Sequence, residues 1–434
     1  MYNRRERARS PTVPSIGPAH STSRLVHQNW YVKGSAMPTI SPEELGFAPD
    51  RLARIDAAMQ RYVDQKKSAG IVTMVARRGQ IAHHATYGMA DIEAGAPMQN
   101  DTIFRIYSMT KPIASVAALM LFEEGRFQLS DPIARYLPSF ANVKVLDNTT
   151  GSGVRYVDPI RPPSIRDLLT HTAGLSYGFE ENVYIDELYR TQMWQAIEAN
   201  PDMTLAEMVE RIAKLPLAHQ PGTAFRYSVA TDVLGMLVQV VADMPFDEYL
   251  KRKIFDPLDM ADTSFYVPEA KIGRFAANYG PDEQTGLKVI DAPHSSLYTR
   301  STRRPSGGGG LVSTAGDYLR FCRLLLNQGE LDGVRLLGRK TVELMTLNHL
   351  PAGVFSFDDP STGFGLGVSV LLDVAKYQNL GSVGNYGWGG AANTNFWIDP
   401  REQLIGILML QFMPSDTYPI VPDFRTLVYQ ALVA

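Results

Sequence analysis

The chain has 434 residues, of which 45% are hydrophobic and 20% are charged, and its formal net charge is −3. This length suits two or three domains, and the small net charge disfavours a nucleic acid or an acidic membrane as a partner. The one cysteine, Cys322, excludes an intrachain disulfide and a multi-cysteine zinc site. No apolar segment reaches the roughly 18 residues that a membrane-spanning helix needs. We therefore expect no nucleic-acid or membrane partner, and the oligomeric state stays unknown.

The N-terminal segment is rich in Ser, Pro, Arg and His and lacks the continuous apolar stretch of a secretory signal. We expect residues 1–36 to be a disordered extension or an added leader, with Met37 as the native start. The missing secretory signal also predicts a cytoplasmic protein.

A helical pattern comes next, with its apolar residues on one face: Leu52, Ile55, Met59 and Tyr62. Two strand-like segments follow at 70–79 and 80–88, separated by an Arg-Gly turn, and they predict a hairpin. His83 and His84 are neighbours in the second strand and face opposite sides of a sheet, so we expect structural roles for both.

The middle of the chain, from residue 129 to 282, has mainly helical patterns broken by Pro and Gly. Strand and helix patterns then alternate again up to a final helix at 421–434. We expect an α/β domain formed by residues 37–128 and 283–434, with a mainly helical domain, residues 129–282, inserted between its halves.

The segment SMTKPIASVAALMLFEEG combines an apolar helical stripe with a serine and a lysine at its start. Ser108 and Lys111 are three residues apart, so their side chains share one surface if the helix has begun there. The free N–H groups of a helix start stabilise an oxyanion, and a neutral lysine amine is able to act as a base. Pro112 disfavours helical geometry at Lys111, which predicts a helix that starts at Ser108 or is irregular there. The spacing alone is weak evidence and fits a capping serine and a snorkelling lysine better than a catalytic pair.

Two later segments add the groups that acyl transfer requires. Tyr227 lies just before an apolar helix, and its hydroxyl is suited to relay a proton. Trp388, Gly389 and Gly390 form a glycine-rich turn before a strand, where backbone N–H groups approach a substrate oxygen closely. Nucleophile, proton relay and backbone donor together form an acyl-transfer set.

The order of these motifs, S-x-x-K, a tyrosine motif and W-G-G, resembles the serine β-lactamase and penicillin-binding-protein superfamily. The segments LLTHTAGL and GGGGLVSTAGDYLRF support the resemblance, which runs from about residue 40 to the C-terminus. Within the superfamily the chain resembles the family VIII carboxylesterases, which look like class C β-lactamases. The resemblance implies a β-lactamase/transpeptidase-like α/β (α+β) fold, with an antiparallel sheet flanked by helices and an inserted helical domain.

The resemblance also implies a role for individual residues. Ser108 would be the acylated nucleophile, Lys111 would accept or hold its proton, and Tyr227 would act with Lys111 as acid and base. The backbone N–H groups of Ser108 and Ala391 would form the oxyanion hole. Tyr107, beside the nucleophile, would either line the acyl pocket or pack in the core.

Two positions depart from the lactamase pattern. Trp388 stands where lactamases of this shape carry the lysine of a K-T-G motif, and Val229 stands where class C enzymes carry the Asn of Y-x-N. A lysine there would pair with the carboxylate of a β-lactam, so both changes favour small neutral esters. We expect Trp388, Gly389 and Gly390 to contact that substrate. Weak cephalosporin turnover remains compatible with the same acylation chemistry.

The combined prediction is a serine carboxylesterase that hydrolyses short-chain acyl esters through an acyl-enzyme, with no metal and no organic cofactor. Three alternatives stay open: a β-lactamase or D-alanyl carboxypeptidase, an acyltransferase that uses the same serine, and a non-enzymatic binding or structural protein.

A competing motif, GLSYG around Ser176, matches the G-x-S-x-G nucleophile elbow. It follows a helical pattern, whereas the elbow needs a strand before it.

Overall fold

The computed structural model describes residues 40–147 and 153–434, so the extension expected for residues 1–36 lies outside the described residues. The strands are, in chain order, β1 (Gly70–Arg77), β2 (Gln80–Asp91), β3 (Ala96–Pro97), β4 (Phe104–Arg105), β5 (Val145–Asp147), β6 (Arg155–Val157), β7 (Asn278–Asp282), β8 (Gly286–Asp291), β9 (Val312–Ser313), β10 (Glu330–Leu331), β11 (Val334–Arg335), β12 (Thr362–Phe364), β13 (Ser369–Leu371), β14 (Tyr386–Gly389), β15 (Asn395–Asp399) and β16 (Leu404–Leu410).

The α-helices of the same residues are α1 (Pro49–Leu52), α2 (Arg54–Asp64), α3 (Thr110–Glu123), α4 (Ile165–Leu169), α5 (Tyr184–Leu188), α6 (Gln195–Ala199), α7 (Leu205–Ile212), α8 (Ala230–Ala242), α9 (Phe246–Leu250), α10 (Ala315–Leu326), α11 (Arg339–Met345), α12 (Val374–Tyr377) and α13 (Ile420–Tyr429). None of the described helices is both long enough and apolar enough to cross a membrane.

The central element is an antiparallel sheet of eight strands in the order β12-β13-β14-β15-β16-β1-β2-β3. Its strands come from the two ends of the described chain, and β1 joins the halves by pairing Ile71 with Leu410 of β16. On its other side β1 forms the predicted hairpin with β2. Arg78 and Gly79 connect these strands with φ values of 51° and 76°, as two-residue hairpin turns require.

Helices cover both faces of this sheet. Successive residues of β1 point to opposite faces. Ile71 and Val75 belong to a core cluster with Met59 of α2 and Phe424 of α13. Val72 belongs to a larger cluster that includes α3, α8 and α10. The strand is therefore buried on both sides, which explains its continuous apolar sequence.

Two contacts with other elements position the start of α3. The helix packs against α8, which brings the residues before α8 close to Ser108. The short ladder between β4 and β9 pairs Phe104 with Ser313 and so brings the glycine-rich segment before β9 beside the same helix start.

Several predicted elements are confirmed and others need correction. The hairpin, β15, β16 and the final helix are present, whereas the middle segment also contains the small hairpin β5–β6. A second small hairpin, β7–β8, crosses the predicted end of this segment at residue 282. Trp388 and Gly389 lie in β14 rather than in a turn, because Trp388 pairs with Phe396 of β15 and the reversal begins only at Gly390. The division into an α/β domain and a helical domain at residues 129 and 282 stays a prediction.

The half-buried histidines of the β1–β2 hairpin predict a loss of stability at acidic pH. Burial, and secondly the neighbouring His83, lower the pKa of His84 to about 4. As the pH falls from about 6.5 to about 4, the unfolded chain binds a proton at His84 before the folded chain does. The free energy of unfolding therefore falls, by up to about 1.4 kcal/mol per pH unit for this residue. We expect His84→Gln to make this pH dependence shallower in urea titrations at pH 7.5 and 5. Parallel curves for the two proteins would contradict the prediction.

Candidate active site

The nucleophile candidate lies in an irregular turn at the start of α3. Tyr107–Met109 form one turn of 3-10 helix, and α3 follows directly. Tyr107 has a φ of 42°, so the backbone is in the left-handed region immediately before Ser108. Pro112 is the third residue of α3, where N–H groups have no partner within the helix. The irregular start that the sequence predicts is thus present.

Ser108 contacts both of its predicted partners. The Lys111 ammonium lies 3.1 Å from Ser108 Oγ, and the Tyr227 hydroxyl donates to the same oxygen at 2.7 Å. Ser108 is only half-buried, whereas Lys111 is 1% exposed. The structure therefore brings together three residues that the sequence separates, with the serine oxygen at the centre.

Lys111 is held in place by a carbonyl and by two aromatic rings. Its Nζ donates to the Gly308 carbonyl at 2.6 Å. The same nitrogen lies 4.5 Å from the centre of the Tyr227 ring and 5.2 Å from that of Tyr177. Aromatic faces attract a cation, so these contacts offset part of the cost of burying the lysine.

The groups around Lys111 are kept uncharged by their burial. Burial, and secondly the Lys111 charge, hold the pKa of His171 well below its usual range. Burial also raises the pKa of Tyr177 well above its usual value. The His171 ring lies 4.9 Å from that of Tyr227, and its Nδ1 is 3.2 Å from Ser228 Oγ. A neutral His171 thus packs behind Tyr227 and helps to fix its ring.

The turn after β14 lies against the backbone that leads into Ser108. Thr394 Oγ1 donates to the Ile106 carbonyl at 3.3 Å, and Gly390 N–H donates to the Thr394 carbonyl at 2.7 Å. Within residues 40–147 and 153–434, the N–H groups of Ser108 and Ala391 donate no hydrogen bond to protein atoms. Such free donors are what an oxyanion hole needs, and the assignment of Ser108 and Ala391 to one stays a prediction.

An uncharged aromatic wall borders the site on the side of β14. Trp388 lies 5.5 Å from the Tyr227 ring, 6.0 Å from Phe357 and 5.1 Å from Phe364 between ring centres. Phe357 is 60% exposed and has a φ of 51°. Trp388 is therefore part of an apolar surface.

The Tyr107 side chain contacts residues outside the group formed by Ser108, Lys111 and Tyr227. Asn278 Nδ2 donates to its hydroxyl at 3.1 Å, and its ring meets Tyr298 edge to face at 6.1 Å. The Tyr298 hydroxyl in turn donates to the Gly309 carbonyl at 3.0 Å. These contacts show packing of Tyr107 below the glycine-rich segment, and a substrate contact through its ring stays a prediction.

Comparison with known proteins shows the family to which the chain belongs. A family model described as Beta-lactamase matches residues 55–430. The chain belongs to the beta-lactamase family. Protein Rv1367c of Mycobacterium tuberculosis is 40% identical over 370 residues, which cover 83% of this chain and 90% of that protein. Esterase EstB of Burkholderia gladioli is 31% identical over 375 residues, which cover 82% of this chain and 89% of that protein.

A solved structure extends the comparison to the fold. EstCE1, described as a hydrolase with promiscuous acyltransferase activity, matches with a TM-score of 0.74 and 26% sequence identity. The match covers 88% of this chain and 99% of that chain. The β-lactamase/transpeptidase-like fold and the family resemblance expected from the sequence are both confirmed.

The competing serine of this beta-lactamase family member has a structural role. Ser176 is 1% exposed, donates to Asp186 and accepts a hydrogen bond from Arg226 Nε at 3.0 Å. Arg226 and Asp186 also form an ion pair at 2.7 Å. The segment follows α4 directly, without the strand that a nucleophile elbow needs.

Sequence reasoning missed two parts of the site, the Gly308 carbonyl and Asp232. Asp232 is a carboxylate within the apolar sequence of α8, and this isolated charge is the sequence feature by which it could have been found. Its hydrogen-bond partners lie more than 70 residues further along the chain, so no local pattern identifies them. In the described part of the chain, no group of three or more His, Cys, Asp or Glu side chains is arranged to hold a metal ion.

The close packing of the turn after β14 predicts a strong effect of one methyl group. A Cβ at Gly390 would lie 2.2 Å from Thr394 Oγ1 and 2.5 Å from the Ile106 carbonyl oxygen. We expect Gly390→Ala to displace the turn and to lower kcat/KM for an ester by about 100-fold, as the loss of one oxyanion donor does. Gly273→Ala is the matched control, because nothing lies within 4 Å of a Cβ there. Equal kcat/KM values for the two variants would show that the turn does not serve the reaction.

Proposed function

We propose that the protein is a serine carboxylesterase that hydrolyses short-chain esters through an acyl-enzyme on Ser108. The observation that carries the proposal is the double contact of Ser108 Oγ, at 3.1 Å from Lys111 Nζ and 2.7 Å from the Tyr227 hydroxyl. A serine becomes a nucleophile when a neighbouring base takes its proton, and these two side chains are the groups within reach.

The relatives support the same class of reaction. Esterase EstB carries an ester-hydrolysing activity in its name, and EstCE1 is described as a hydrolase that also transfers acyl groups. Ester hydrolysis or acyl transfer on a β-lactamase-like fold is therefore the reaction class of this chain. The nucleophile, the acyl chain length and the preference for water are the parts that we propose.

The proposed reaction has two steps. In the first, Ser108 Oγ attacks the ester carbonyl while its proton moves to the Tyr227/Lys111 pair, which then protonates the departing alcohol. In the second, the pair removes a proton from water, the water attacks the acyl group, and the acid is released with return of the proton to Ser108. The free N–H groups of Ser108 and Ala391 would stabilise the oxyanion in both steps.

The surroundings of the serine favour neutral esters over β-lactams. Trp388 stacks with Phe357 and brings no positive charge to the position where a lactamase lysine would bind the substrate carboxylate. Val229 is fully buried and apolar, so it offers no side-chain hydrogen bond to Lys111. Both observations support a small uncharged substrate.

The nucleophile is tested with p-nitrophenyl acetate and two serine variants. We expect Ser108→Ala to lower kcat/KM by about 1,000-fold or more, because the acyl-enzyme is no longer formed. Ser176→Ala should stay within a few-fold of the wild type in kcat/KM and lower the melting temperature, because Asp186 and Arg226 lose a buried partner. Near-ultraviolet circular dichroism checks that both variants are folded.

The opposite result would refute the assignment. If a folded Ser176→Ala variant is inactive while Ser108→Ala turns over normally, the reaction uses the other serine. Nitrocefin is the second substrate in the same assay, and we expect its kcat/KM to lie far below that of the ester because no lysine stands at position 388.

An acyltransferase activity is the second candidate, and the description of EstCE1 favours testing it. The same acyl-enzyme gives a new ester if an alcohol replaces water in the second step. The products formed from vinyl butyrate in the presence of 1-butanol are measured by gas chromatography. Butyric acid as the main product supports the esterase, whereas butyl butyrate as the main product would make the protein an acyltransferase.

A further inference from the structure

A buried carboxylate lies behind the lysine of the site without touching it. Asp232 is 2% exposed and lies in the first turn of α8, five residues after Tyr227. Its Oδ1 accepts hydrogen bonds from the Ser306 hydroxyl at 2.5 Å and from the Gly308 N–H at 3.1 Å. Both bonds therefore hold the glycine-rich segment against α8.

Gly308 connects this carboxylate to Lys111. Its N–H donates to Asp232, and its carbonyl accepts from Lys111 Nζ at 2.6 Å. A Cβ at Gly308 would lie 2.5 Å from Asp232 Oδ2 and 2.7 Å from the Tyr177 hydroxyl, so only glycine fits there without displacement. One residue thus fixes the position of the lysine amine relative to the carboxylate.

Few charged groups lie around Asp232 and Lys111 in the described part of the chain. Asp232 interacts with the positive charges of Lys111 and Arg304. Arg304 donates to the Met203 carbonyl at 3.1 Å. Lys111 faces the rings of Tyr177 and Tyr227, the buried His171 and the Ser108 hydroxyl, which are neutral donors, acceptors or π-faces.

Burial affects the carboxylate as well. It raises the pKa of Asp232, while the Ser306 hydroxyl, the Lys111 charge and the Gly308 N–H work in the opposite direction. The helix start also favours a negative charge at this place, since Asp232 lies in the first turn of α8.

We propose that Asp232 is a positioning residue for acylation, which orients Lys111 through Gly308 and supplies the negative charge that stabilises its ammonium form. This inference rests on the proposed function. When Ser108 attacks the ester, its O–H bond breaks, the Oγ–C bond forms, the π electron pair of the carbonyl moves to the ester oxygen, and the proton passes to the Tyr227/Lys111 pair. Asp232 takes no proton and forms no bond to the substrate. Its charge lowers the energy of the ion pair that this step creates inside a low-dielectric site.

The variant Asp232→Asn separates the charge from the hydrogen bonds. Both donors reach Oδ1, and an asparagine keeps a carbonyl oxygen in that position while losing the charge. The Lys111 ammonium is then less stabilised. We expect the acid limb of the pH dependence of kcat/KM to move to lower pH by at least about 0.5 unit. The plateau of kcat should fall about tenfold because the base is weaker, with KM within about threefold of the wild type.

Asp317→Asn is the matched control. Asp317 is a half-buried carboxylate that accepts one backbone N–H, from Asp262 at 2.8 Å, and one hydroxyl, from Thr263 at 2.9 Å. Its hydrogen bonds do not involve Ser108, Lys111 or Tyr227. We expect this variant to keep the pH profile of the wild type, even if its melting temperature falls.

A second readout covers the case of a variant too slow to assay. The rate of Ser108 labelling by a fluorophosphonate probe is measured across pH for wild type, Asp232→Asn and Asp317→Asn, and its acid limb should move in Asp232→Asn alone. If the acid limb of Asp232→Asn does not move in either experiment, with or without a lower melting temperature, Asp232 has only a structural role and the proposal is wrong. If Ser108→Ala retains activity and labelling, the proposed function itself has failed, which is a different outcome.

Discussion

The burial of Lys111 is the constraint on which the rest of the site depends. Taking an ammonium group out of water costs several kcal/mol unless partners replace the lost hydration. The Gly308 carbonyl, the Ser108 oxygen and two aromatic rings are these partners. Each comes from a different part of the chain, so the fold has to bring the start of α3, the segment after α4, the residues before α8 and the segment before β9 to one point. The same partners leave the amine within reach of the nucleophile.

The architecture explains how this assembly is held rigid. The eight-stranded sheet joins segments from both ends of the described chain, and β14 delivers the turn at Gly390 to the backbone before Ser108. The packing of α3 against α8 fixes Tyr227 from the opposite side. Strands and helices define positions more precisely than loops do, which is what a serine hydroxyl shared by two partners requires.

The sequence predicts the parts of this site that depend on short distances along the chain. Ser108 and Lys111 share a helix start, and the hairpin of β1 and β2 follows from its alternation and its turn. Tyr227 and Trp388 were found by the order of motifs and by family resemblance. The strands of β5 and β6 are three residues long, too short for a period of two to be visible. Asp232 was missed because a single charged residue in an apolar helix does not indicate which distant residues it contacts.

The two candidate serines show why a motif is weaker evidence than the groups around it. Ser176 lies in a G-x-S-x-G match, yet its hydroxyl donates to Asp186 and accepts a hydrogen bond from Arg226. Although burial works in the opposite direction, the hydrogen bonds from Ser176 and Arg226 lower the pKa of Asp186, which makes that carboxylate a weak base. Ser108 has an amine and a phenol as neighbours and remains half-exposed, so a substrate carbonyl has access to its oxygen. Reactivity thus depends on a base that is not already neutralised by an ion pair.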